Sequence, residues 1–204
     1  MEFKCIVSDF SSNCYLIEKD NMIYVIDPSI DIEKVKCFIG NKKIKAVLIT
    51  HAHIDHIYYL EEYMKEFNCL VYMSENSSEF LKDAYKNCSK LFGINKVFSL
   101  SCDNVICLEG EECIDGFINV HYTPGHTSDS LCFQIEDNLF TGDTLFKSSI
   151  GRTDFYSGDY NVIKDSINKI YSLNTNFNIY PGHGESSTLN YESENNYYVK
   201  MMRK

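Results

Sequence analysis

Long apolar runs are missing from this chain of 204 residues. The longest, such as "AVLI" and "MIYVI", have the length of a β-strand, whereas a membrane-spanning helix needs about 20 consecutive apolar residues. The N-terminal stretch "MEFKCIVSDF" also lacks the basic segment followed by an apolar segment that is typical of a secretory signal. We therefore expect no membrane partner and no export, and a cytoplasmic location.

Paired cysteines and an excess of basic residues are also absent. The nine cysteines are scattered singly, with no CxxC pair, which predicts reduced thiols that mostly fill the core instead of disulfides. There are 19 Lys and Arg residues against 29 Asp and Glu, which gives a net charge of −10. Because binding to nucleic-acid phosphates relies on clustered Lys and Arg, we expect no nucleic-acid partner.

Strand-type and helix-type patterns occur in both halves of the chain, with no Pro/Gly/Ser-rich linker between them. We therefore predict a single α/β domain over residues 1–204, with packed sheets and outer helices. The predicted strands are Phe3–Val7, Cys14–Glu18, Met22–Ile26, Ala46–Thr50, Leu70–Met73, Val105–Leu108, Asn119–Tyr122, Leu131–Ile135, Asn138–Thr141 and Asn178–Tyr180. The predicted helices are Asp31–Gly40, Ile57–Phe67, Ser77–Leu91, Tyr160–Leu173 and a C-terminal helix from about Glu192.

Three of the six histidines and an aspartate stand within "THAHIDH", Thr50 to His56. His51 and His53 are two apart and Asp55 continues the alternation, so in extended backbone all three point to one side. His56 follows where the next helix is expected to start. This spacing suits the C-terminal end of a strand. Four ligand-type side chains in six positions favour a metal site over a chance cluster of surface histidines.

Three later stretches each place one ligand-type residue on a glycine-containing loop at a predicted strand end, where backbone can approach an ion closely. They are "TPGHTSDS" with His126, "LFTGDTLF" with Asp143 and "IYPGHGES" with His183. Each is weak evidence alone, but together they place five of the six histidines in candidate ligand loops. The sixth, His121, lies inside a strand pattern and is expected to be packed or hydrogen-bonded.

The HxHxDH motif, followed in order by His, Asp and His, resembles the metallo-β-lactamase superfamily, and the resemblance covers nearly the whole chain. It implies an αββα sandwich, the metallo-β-lactamase type of α/β fold, with a dinuclear metal site. Carried over by motif, the ligands of one metal would be His51, His53 and His126. Those of the second would be Asp55, His56 and His183, with Asp143 bridging the two.

The implied ligand set determines the expected chemistry. Imidazole and carboxylate ligands suit zinc, iron or manganese, and we expect two divalent ions, with zinc favoured. Two metals about 3.5–4 Å apart can share a hydroxide and polarise a carbonyl, which supplies a nucleophile at neutral pH. Asp55 is the candidate catalytic residue because its carboxylate is expected to orient that hydroxide. Asp27 is either a hydrogen-bond partner of a ligating histidine or a turn aspartate before a proline.

Within the superfamily, "GDTLFKSSIGRTDF" (Gly142–Phe155), with "TPGHT" and "PGHG", resembles the glyoxalase II group, the hydroxyacylglutathione hydrolases. This resemblance implies hydrolysis of a small-molecule thioester such as an S-acylglutathione. Lactamases of this fold that use two zincs commonly have a cysteine at the position of Asp143, which disfavours antibiotic hydrolysis. Arg152 is the candidate for binding a substrate carboxylate, and the alternative is an internal salt bridge to Asp154 or Asp159.

Two features depart from the glyoxalase II pattern. Tyr58 and Tyr59 follow the motif where many members have small residues, and Tyr58 is a candidate substrate-binding residue. About twenty residues follow His183, so we expect the helical region that helps full-length glyoxalase II proteins to hold glutathione to be absent.

Two other functions remain as alternatives. Persulfide dioxygenases resemble this chain in "GRTDF", and they would hold a single iron with His51, His126 and Asp143. They commonly lack the "PGHG" form, and this favours hydrolysis. A metal-binding protein without catalysis is disfavoured because no ligand position of the superfamily motif is lost.

Overall fold

The computed structural model describes residues 2–100, 102–173 and 176–203, and of Cys102 the backbone only. The chain divides into two compact units, Met1–Leu108 and Glu109–Lys204. The single domain over residues 1–204 stays a prediction.

The first unit contains a six-stranded sheet whose spatial order follows the sequence. Its strands are β1 (Glu2–Val7), β2 (Asn13–Lys19), β3 (Met22–Ile26), β4 (Lys43–Leu48), β5 (Leu70–Ser74) and β6 (Val105–Leu108). The first three strands pair antiparallel, whereas β3 to β6 pair parallel. The loops that leave β3 and β4 therefore start at the same edge of the sheet. The first carries Asp27 and the second carries the histidine cluster.

The described part of the first unit has four α-helices: α1 (Ile32–Ile39), α2 (Ile54–Ile57), α3 (Leu60–Phe67) and α4 (Ser77–Leu81). Helix α1 begins where the Asp31 carboxylate accepts hydrogen bonds from the first-turn amides, and it ends at Gly40, whose φ is +59°. Buried Val35 of α1 and Tyr63 of α3 pack in one cluster with strand residues such as Val47. Burial of each such side chain contributes about 1.5–3 kcal/mol. This packing fixes the helices on the sheet.

The second unit contains another six-stranded sheet, in the spatial order β14-β13-β10-β9-β8-β7. Its strands are β7 (Cys113–Ile114), β8 (Ile118–Tyr122), β9 (Leu131–Ile135), β10 (Asn138–Gly142), β13 (Asn178–Pro181) and β14 (Ser187–Thr188). A separate hairpin pairs β11 (Leu145–Phe146) with β12 (Ser149–Ile150). Strands β10 and β13 are parallel neighbours, so Asp143 and His183 follow strands that end at the same edge.

Three α-helices lie in the described part of the second unit: α5 (Tyr160–Ser172), α6 (Leu189–Asn195) and α7 (Tyr197–Met202). The Asp159 carboxylate caps the N-terminus of α5, and buried Ile163 and Ile167 pack with Leu139 and Val199 in this unit's core. Among the described residues, α5 is the longest helix at 13 residues, and no described helix has the length and apolarity needed to cross a membrane.

The predicted helix Ser77–Leu91 is wrong beyond its first turn. Helix α4 ends at Leu81, and the chain then turns because the Asp83 carboxylate accepts hydrogen bonds from the amides of Tyr85 and Lys86. Cys88 adopts a left-handed conformation with φ +63°, after which a 3₁₀ helix spans Ser89–Phe92. Local side-chain capping thus overrides the helical spacing of the apolar residues.

The predicted helix Ile57–Phe67 is two helices, and the first, α2, starts three residues earlier. The break occurs at Tyr59, whose amide donates to the carbonyl of Pro28 at 3.1 Å. Because α2 begins at Ile54, Asp55 lies in a helical turn. The prediction that Asp55 continues the extended alternation of His51 and His53 is wrong. The C-terminal helix is likewise two helices that meet at Asn196, and the first starts at Leu189.

We predicted that the cysteines mostly fill the core. Of the eight cysteine side chains that the structure describes, four are buried and four are exposed. All eight are free thiols. The buried ones are Cys14, Cys69, Cys88 and Cys132. The exposed ones are Cys5, Cys37, Cys107 and Cys113.

Candidate metal centre

In the first unit, His51 and His53 lie on the extended segment between β4 and α2, and both are buried. Nε2 of His51 and Nδ1 of His53 are 3.2 Å apart, so the two-residue spacing brings the rings to the same side, as predicted. The ring of His56 lies 4.3 Å from that of His51, centroid to centroid. Three imidazoles are therefore gathered at the end of β4.

Asp55 contributes a carboxylate to the same cluster, although it does so from a helical turn. Its Oδ2 is 3.6 Å from Nε2 of His56, and its side chain is 14 % exposed. Its backbone carbonyl accepts a hydrogen bond from Oγ of Ser12 at 2.5 Å. The backbone of α2 is thus tied to the loop between β1 and β2.

Asp27 is hydrogen-bonded to the candidate ligand His56, and it also lies in a turn, with φ +56° and its carbonyl accepting from the Ser29 amide at 2.7 Å. Oδ2 of Asp27 accepts from Nδ1 of His56 at 2.8 Å and from Oγ1 of Thr50 at 2.7 Å. Oδ1 accepts from the Thr50 amide at 2.8 Å. Because an ionised carboxylate only accepts, Nδ1 of His56 carries a proton, and Nε2 stands 3.6 Å from Oδ2 of Asp55.

In the second unit, Asp143 lies between two histidines. Its Oδ2 is 3.7 Å from Nε2 of His126 and 3.7 Å from Nε2 of His183. Nδ1 of His126 donates to the backbone carbonyl of Arg152 at 2.8 Å, which fixes the ring with Nε2 beside the Asp143 carboxylate. His126 is buried and His183 is about one-third exposed, at 31 % of its side chain, so this cluster opens on one side.

Two glycines allow the loops of this second cluster to approach closely. A Cβ on Gly151 would lie 1.7 Å from the carbonyl oxygen of Asp143, and one on Gly125 would lie 2.2 Å from the amide nitrogen of Ile163. Gly125 also has φ +128°, a conformation that other residues rarely adopt. The backbone packing that places His126 and Asp143 therefore has no room for a side chain at either glycine.

The geometry within each unit fits a metal ion. Nitrogen–oxygen separations of 3.6 and 3.7 Å are longer than a normal hydrogen bond. Two ligands bound tetrahedrally to one zinc at about 2.1 Å would lie roughly 3.4 Å apart. The donors are imidazoles and carboxylates, which suit zinc, iron or manganese.

The guanidinium of Arg152 is engaged within the second unit. Its Nε and Nη2 each donate to the Asp154 carboxylate at 2.7 Å, and its Cζ lies 3.8 Å from the ring centroid of Phe155. The hydrogen bonds from Arg152 lower the pKa of Asp154 to about 2. The alternative predicted for Arg152, a salt bridge to Asp154, is present, whereas Asp159 caps α5. Substrate binding by Arg152 stays a prediction.

Tyr58 directly follows α2 and is half-buried. Its ring lies 5.1 Å from that of Phe10 and 4.8 Å from that of Tyr59, centroid to centroid. Nζ of Lys96 is 4.7 Å from the Tyr58 centroid and donates to the Tyr58 carbonyl at 2.6 Å. Tyr58 thus stands in an aromatic environment three residues after Asp55, and its role in substrate binding stays a prediction.

His121 is buried and hydrogen-bonded, as predicted. It is 7 % exposed, and its ring nitrogens lie 2.8 Å from a carboxylate oxygen of Glu111 and 2.9 Å from Oε1 of Gln134.

Sequence reasoning missed Glu192, which supports the hairpin beside the second cluster. This wholly buried carboxylate accepts from the amide of Ser148 at 2.7 Å, from Nδ2 of Asn196 at 2.8 Å, and from Oγ of Ser187. The only local signal is the four-residue spacing of Glu192 and Asn196. It is not specific, because it cannot indicate contacts with Ser148, 44 residues away.

Comparison with known proteins identifies relatives along most of the chain. The family model described as "Metallo-beta-lactamase superfamily" matches residues 7–183. The hydroxyacylglutathione hydrolase GloC of Haemophilus influenzae is 32% identical over 201 residues, which cover 95% of this chain and 95% of that protein. The probable metallo-hydrolase YqgX of Bacillus subtilis is 30% identical over 199 residues, which cover 95% and 94%.

A solved structure has a similar fold over nearly the whole chain. The crystal structure of the BLEG-1 B3 metallo-β-lactamase matches with a TM-score of 0.88 at 31% sequence identity, over 97% of this chain and 99% of that chain. The predicted αββα sandwich of the metallo-β-lactamase type is confirmed.

Proposed function

The chain belongs to the metallo-β-lactamase superfamily and is a metal-dependent hydrolase of that family, and we propose that it hydrolyses S-acylglutathione or a similar small thioester, as a thioesterase of the glyoxalase II type. One observation carries the proposal. Within their own units, His56 and His126 each have Nδ1 hydrogen-bonded to a fixed acceptor and Nε2 beside a carboxylate. The similarity to GloC supports the substrate class.

The proposed cofactor is a pair of divalent metal ions, with zinc favoured by the donor set. The proposed ligands of the first ion are His51, His53 and His126. Those of the second are Asp55, His56 and His183, with Asp143 bridging. When bound, such ions polarise a carbonyl and lower the pKa of water to about 7, so that a nucleophile is available at neutral pH.

The residues of the chain itself have distinct roles in this proposal. The Asp55 carboxylate orients the attacking water and takes up its proton. The water oxygen bonds to the thioester carbon, the carbon–sulfur bond breaks, and the leaving thiolate takes back the proton held by Asp55. Asp27 holds the His56 ring in position through Nδ1. Arg152 binds a carboxylate of the thiol carrier, and Tyr58 borders the acyl group.

We propose a cytoplasmic location and a small-molecule partner for this enzyme. The eight cysteines that the structure describes are free thiols, and reduced thiols are usual in the cytoplasm, where we propose that the enzyme acts. Its proposed partner is the thioester substrate, with neither a nucleic acid nor a membrane involved.

The test is a substrate panel on the purified, zinc-loaded protein, with metal content measured on the same sample. We expect release of free thiol from S-lactoylglutathione, two zinc ions per chain, and loss of thiol release in Asp55→Asn. Asp137→Asn, an exposed aspartate before β10, is the matched control and should keep full activity.

Two other outcomes would replace the proposal. Hydrolysis of a β-lactam but of no thioester would assign a β-lactamase activity, the one for which the BLEG-1 relative is named. A single stable iron, with oxygen uptake that depends on glutathione persulfide, would assign the dioxygenase alternative.

A further inference from the structure

Two loops of the first unit, one with the half-buried Phe10 and one with the exposed Phe92, are both hydrogen-bonded to the backbone of α2. The loop between β1 and β2 contains Phe10, and its Ser12 hydroxyl donates to the Asp55 carbonyl at 2.5 Å. The loop after α4 contains Phe92, and its Asn87 carbonyl accepts from the Ile54 amide at 2.8 Å. Both loops are therefore fixed relative to the helix that carries Asp55.

The loop that carries Phe92 is rigid at its base. Asn87 and Ser89 are wholly buried, and Nδ2 of Asn87 and Oγ of Ser89 both donate to the Lys96 carbonyl, at 3.0 and 2.9 Å. The Ser89 amide donates to Oδ1 of Asn87 at 2.9 Å. Buried hydrogen bonds of this kind hold a loop in one conformation, so Phe92 is presented from a defined position.

Phe10, Tyr58 and Phe92 form a continuous row of rings, here called the aromatic wall. The ring centroids of Phe10 and Phe92 are 5.4 Å apart in an edge-to-face arrangement, and those of Phe10 and Tyr58 are 5.1 Å apart. Phe92 is 48% exposed, and the adjacent Leu91 is 64% exposed. Phe10 and Tyr58 are half-buried, so the wall presents the partly accessible faces of three rings in contact, whereas an ordinary surface has single exposed apolar residues.

The aromatic wall is continuous with the candidate catalytic residue. Tyr58 follows Asp55 by three residues in helical backbone, and side chains three apart lie next to each other on a helix. Tyr58 at one end of the wall is therefore a helical neighbour of Asp55, and Phe92 is at the other end. A substrate group that extends from the reacting carbonyl along Tyr58 would lie against Phe10 and Phe92.

We propose that the aromatic wall is the subsite for a bulky apolar acyl group, alkyl or aryl, of the thioester substrate. The proposal rests on the proposed thioesterase function and adds the acyl class that the enzyme prefers. Phe10 and Phe92 are specificity-determining residues that touch the acyl group. The occupant is a substrate group because the wall adjoins Asp55 and both of its loops are fixed to α2.

The test uses glutathione thioethers, which have no carbonyl and cannot be hydrolysed. Binding of S-methyl-, S-butyl-, S-hexyl- and S-benzylglutathione to the zinc-loaded protein is measured by titration calorimetry. We expect affinity to rise about three- to fourfold for each methylene that is removed from water. Phe92→Ala and Phe10→Ala should each lower S-hexyl affinity about tenfold and leave S-methyl affinity within about twofold. Phe92→Leu should retain part of the gain.

Tyr85→Ala is the matched control, because this ring is 65% exposed on the loop after α4 and lies outside the wall. It should leave the affinity for every thioether unchanged. Thermal melts of the three alanine variants establish that each is folded, and Phe92 and Tyr85 are 48% and 65% exposed.

The outcomes separate this proposal from the proposed function. Affinity that does not depend on chain length, or is the same in Phe92→Ala, overturns the subsite even if thioesters are hydrolysed. Chain-length dependence that is lost in the variants supports the subsite even if no thioester is cleaved, in which case only the proposed function fails. Wall-dependent binding to phosphatidylcholine–phosphatidylglycerol vesicles, with unchanged thioether affinity, would make the wall a membrane contact and overturn the proposal.

Discussion

Asp27 and His56 are joined by a hydrogen bond of 2.8 Å between Oδ2 and Nδ1, and neither side chain is more than 1 % exposed. The pair spans 29 positions of the chain. It forms because β3 and β4 are parallel neighbours, so the residues that follow them share one edge of the sheet. A buried carboxylate beside an imidazole fixes the ring's tautomer and its orientation, and both affect metal affinity.

Asp27→Asn should weaken metal binding about 10–100-fold. An asparagine keeps the shape of the side chain but removes the negative charge that holds the proton on Nδ1 of His56. Competition with a fluorescent zinc chelator measures the change. Asp31→Asn is the control, since asparagine also caps a helix and the cap of α1 is preserved. Equal zinc affinity in the two variants would show that Asp27 has no part in the metal site.

Asp143→Asn should lower the number of zinc ions retained per chain from two toward one, with a fall in turnover. The neutral side chain no longer offsets the charge of two cations that the proposed bridge would contact. Elemental analysis after gel filtration gives the stoichiometry. Asp137→Asn, on the loop before β10, should retain two. Unchanged zinc content and rate in Asp143→Asn would refute the bridging role.

Removal of the metals by a chelator should abolish hydrolysis without unfolding the chain. Each unit has its own apolar core, so the far-ultraviolet circular dichroism spectrum should persist. The melting temperature should fall, because an ion present at about 1,000 times its Kd stabilises the folded state by about 4 kcal/mol. Zinc, manganese and ferrous iron are then added back separately. Full hydrolysis by the chelated protein would contradict a metal-dependent mechanism.

Gly151→Ala should destabilise the loop that holds Asp143 and His126. The added Cβ would lie 1.7 Å from the Asp143 carbonyl oxygen, so backbone must move, at a cost of about 1–3 kcal/mol or more. Gly110→Ala is the matched control, because nothing lies within 4 Å of its added Cβ. Thermal melts and zinc affinity check both variants, and we expect both quantities to fall only in Gly151→Ala.

Arg152→Ala should raise the KM for glutathione thioesters about tenfold and leave kcat nearly unchanged, because a charge-assisted hydrogen bond contributes about 1.5–3 kcal/mol. Thioesters of an uncharged thiol should be unaffected. Asp154→Asn tests the salt bridge between Arg152 and Asp154, which competes with substrate for the guanidinium. The KM of this variant should equal that of the parent or be lower, because the guanidinium is then more available to bind substrate. An equal KM increase for charged and uncharged thiols would contradict carboxylate recognition.

The effect of Arg152→Ala should be nearly independent of pH in the neutral range. Arg152 lowers the pKa of Asp154 to about 2. A group with a lowered pKa stays ionised above that value, and its contribution is lost only as the pH falls through it. The KM ratio of variant to parent should therefore agree at about pH 6 and about pH 8. A ratio that changes between these values would indicate that another titrating group governs binding.

Local sequence determined the candidate ligands and the family of this protein. His51 and His53 project together because the backbone between β4 and α2 is extended, and that geometry follows from a two-residue spacing alone. Most strands and α5 were likewise predictable. The apolar pattern of the strands and the Asp159 cap of α5 both depend on residues only a few positions apart.

Only the tertiary structure decided which distant groups meet. The amide of Tyr59 donates to Pro28 and breaks a helix that periodicity predicts as continuous. The carboxylate of Asp27 binds His56 from a turn, and Glu192 reaches Ser148 across 44 positions. Such contacts depend on strand order and register, which bring together residues far apart in the chain. Secondary-structure propensity and residue spacing reflect interactions between residues a few positions apart. These long-range hydrogen bonds therefore leave no pattern in the sequence.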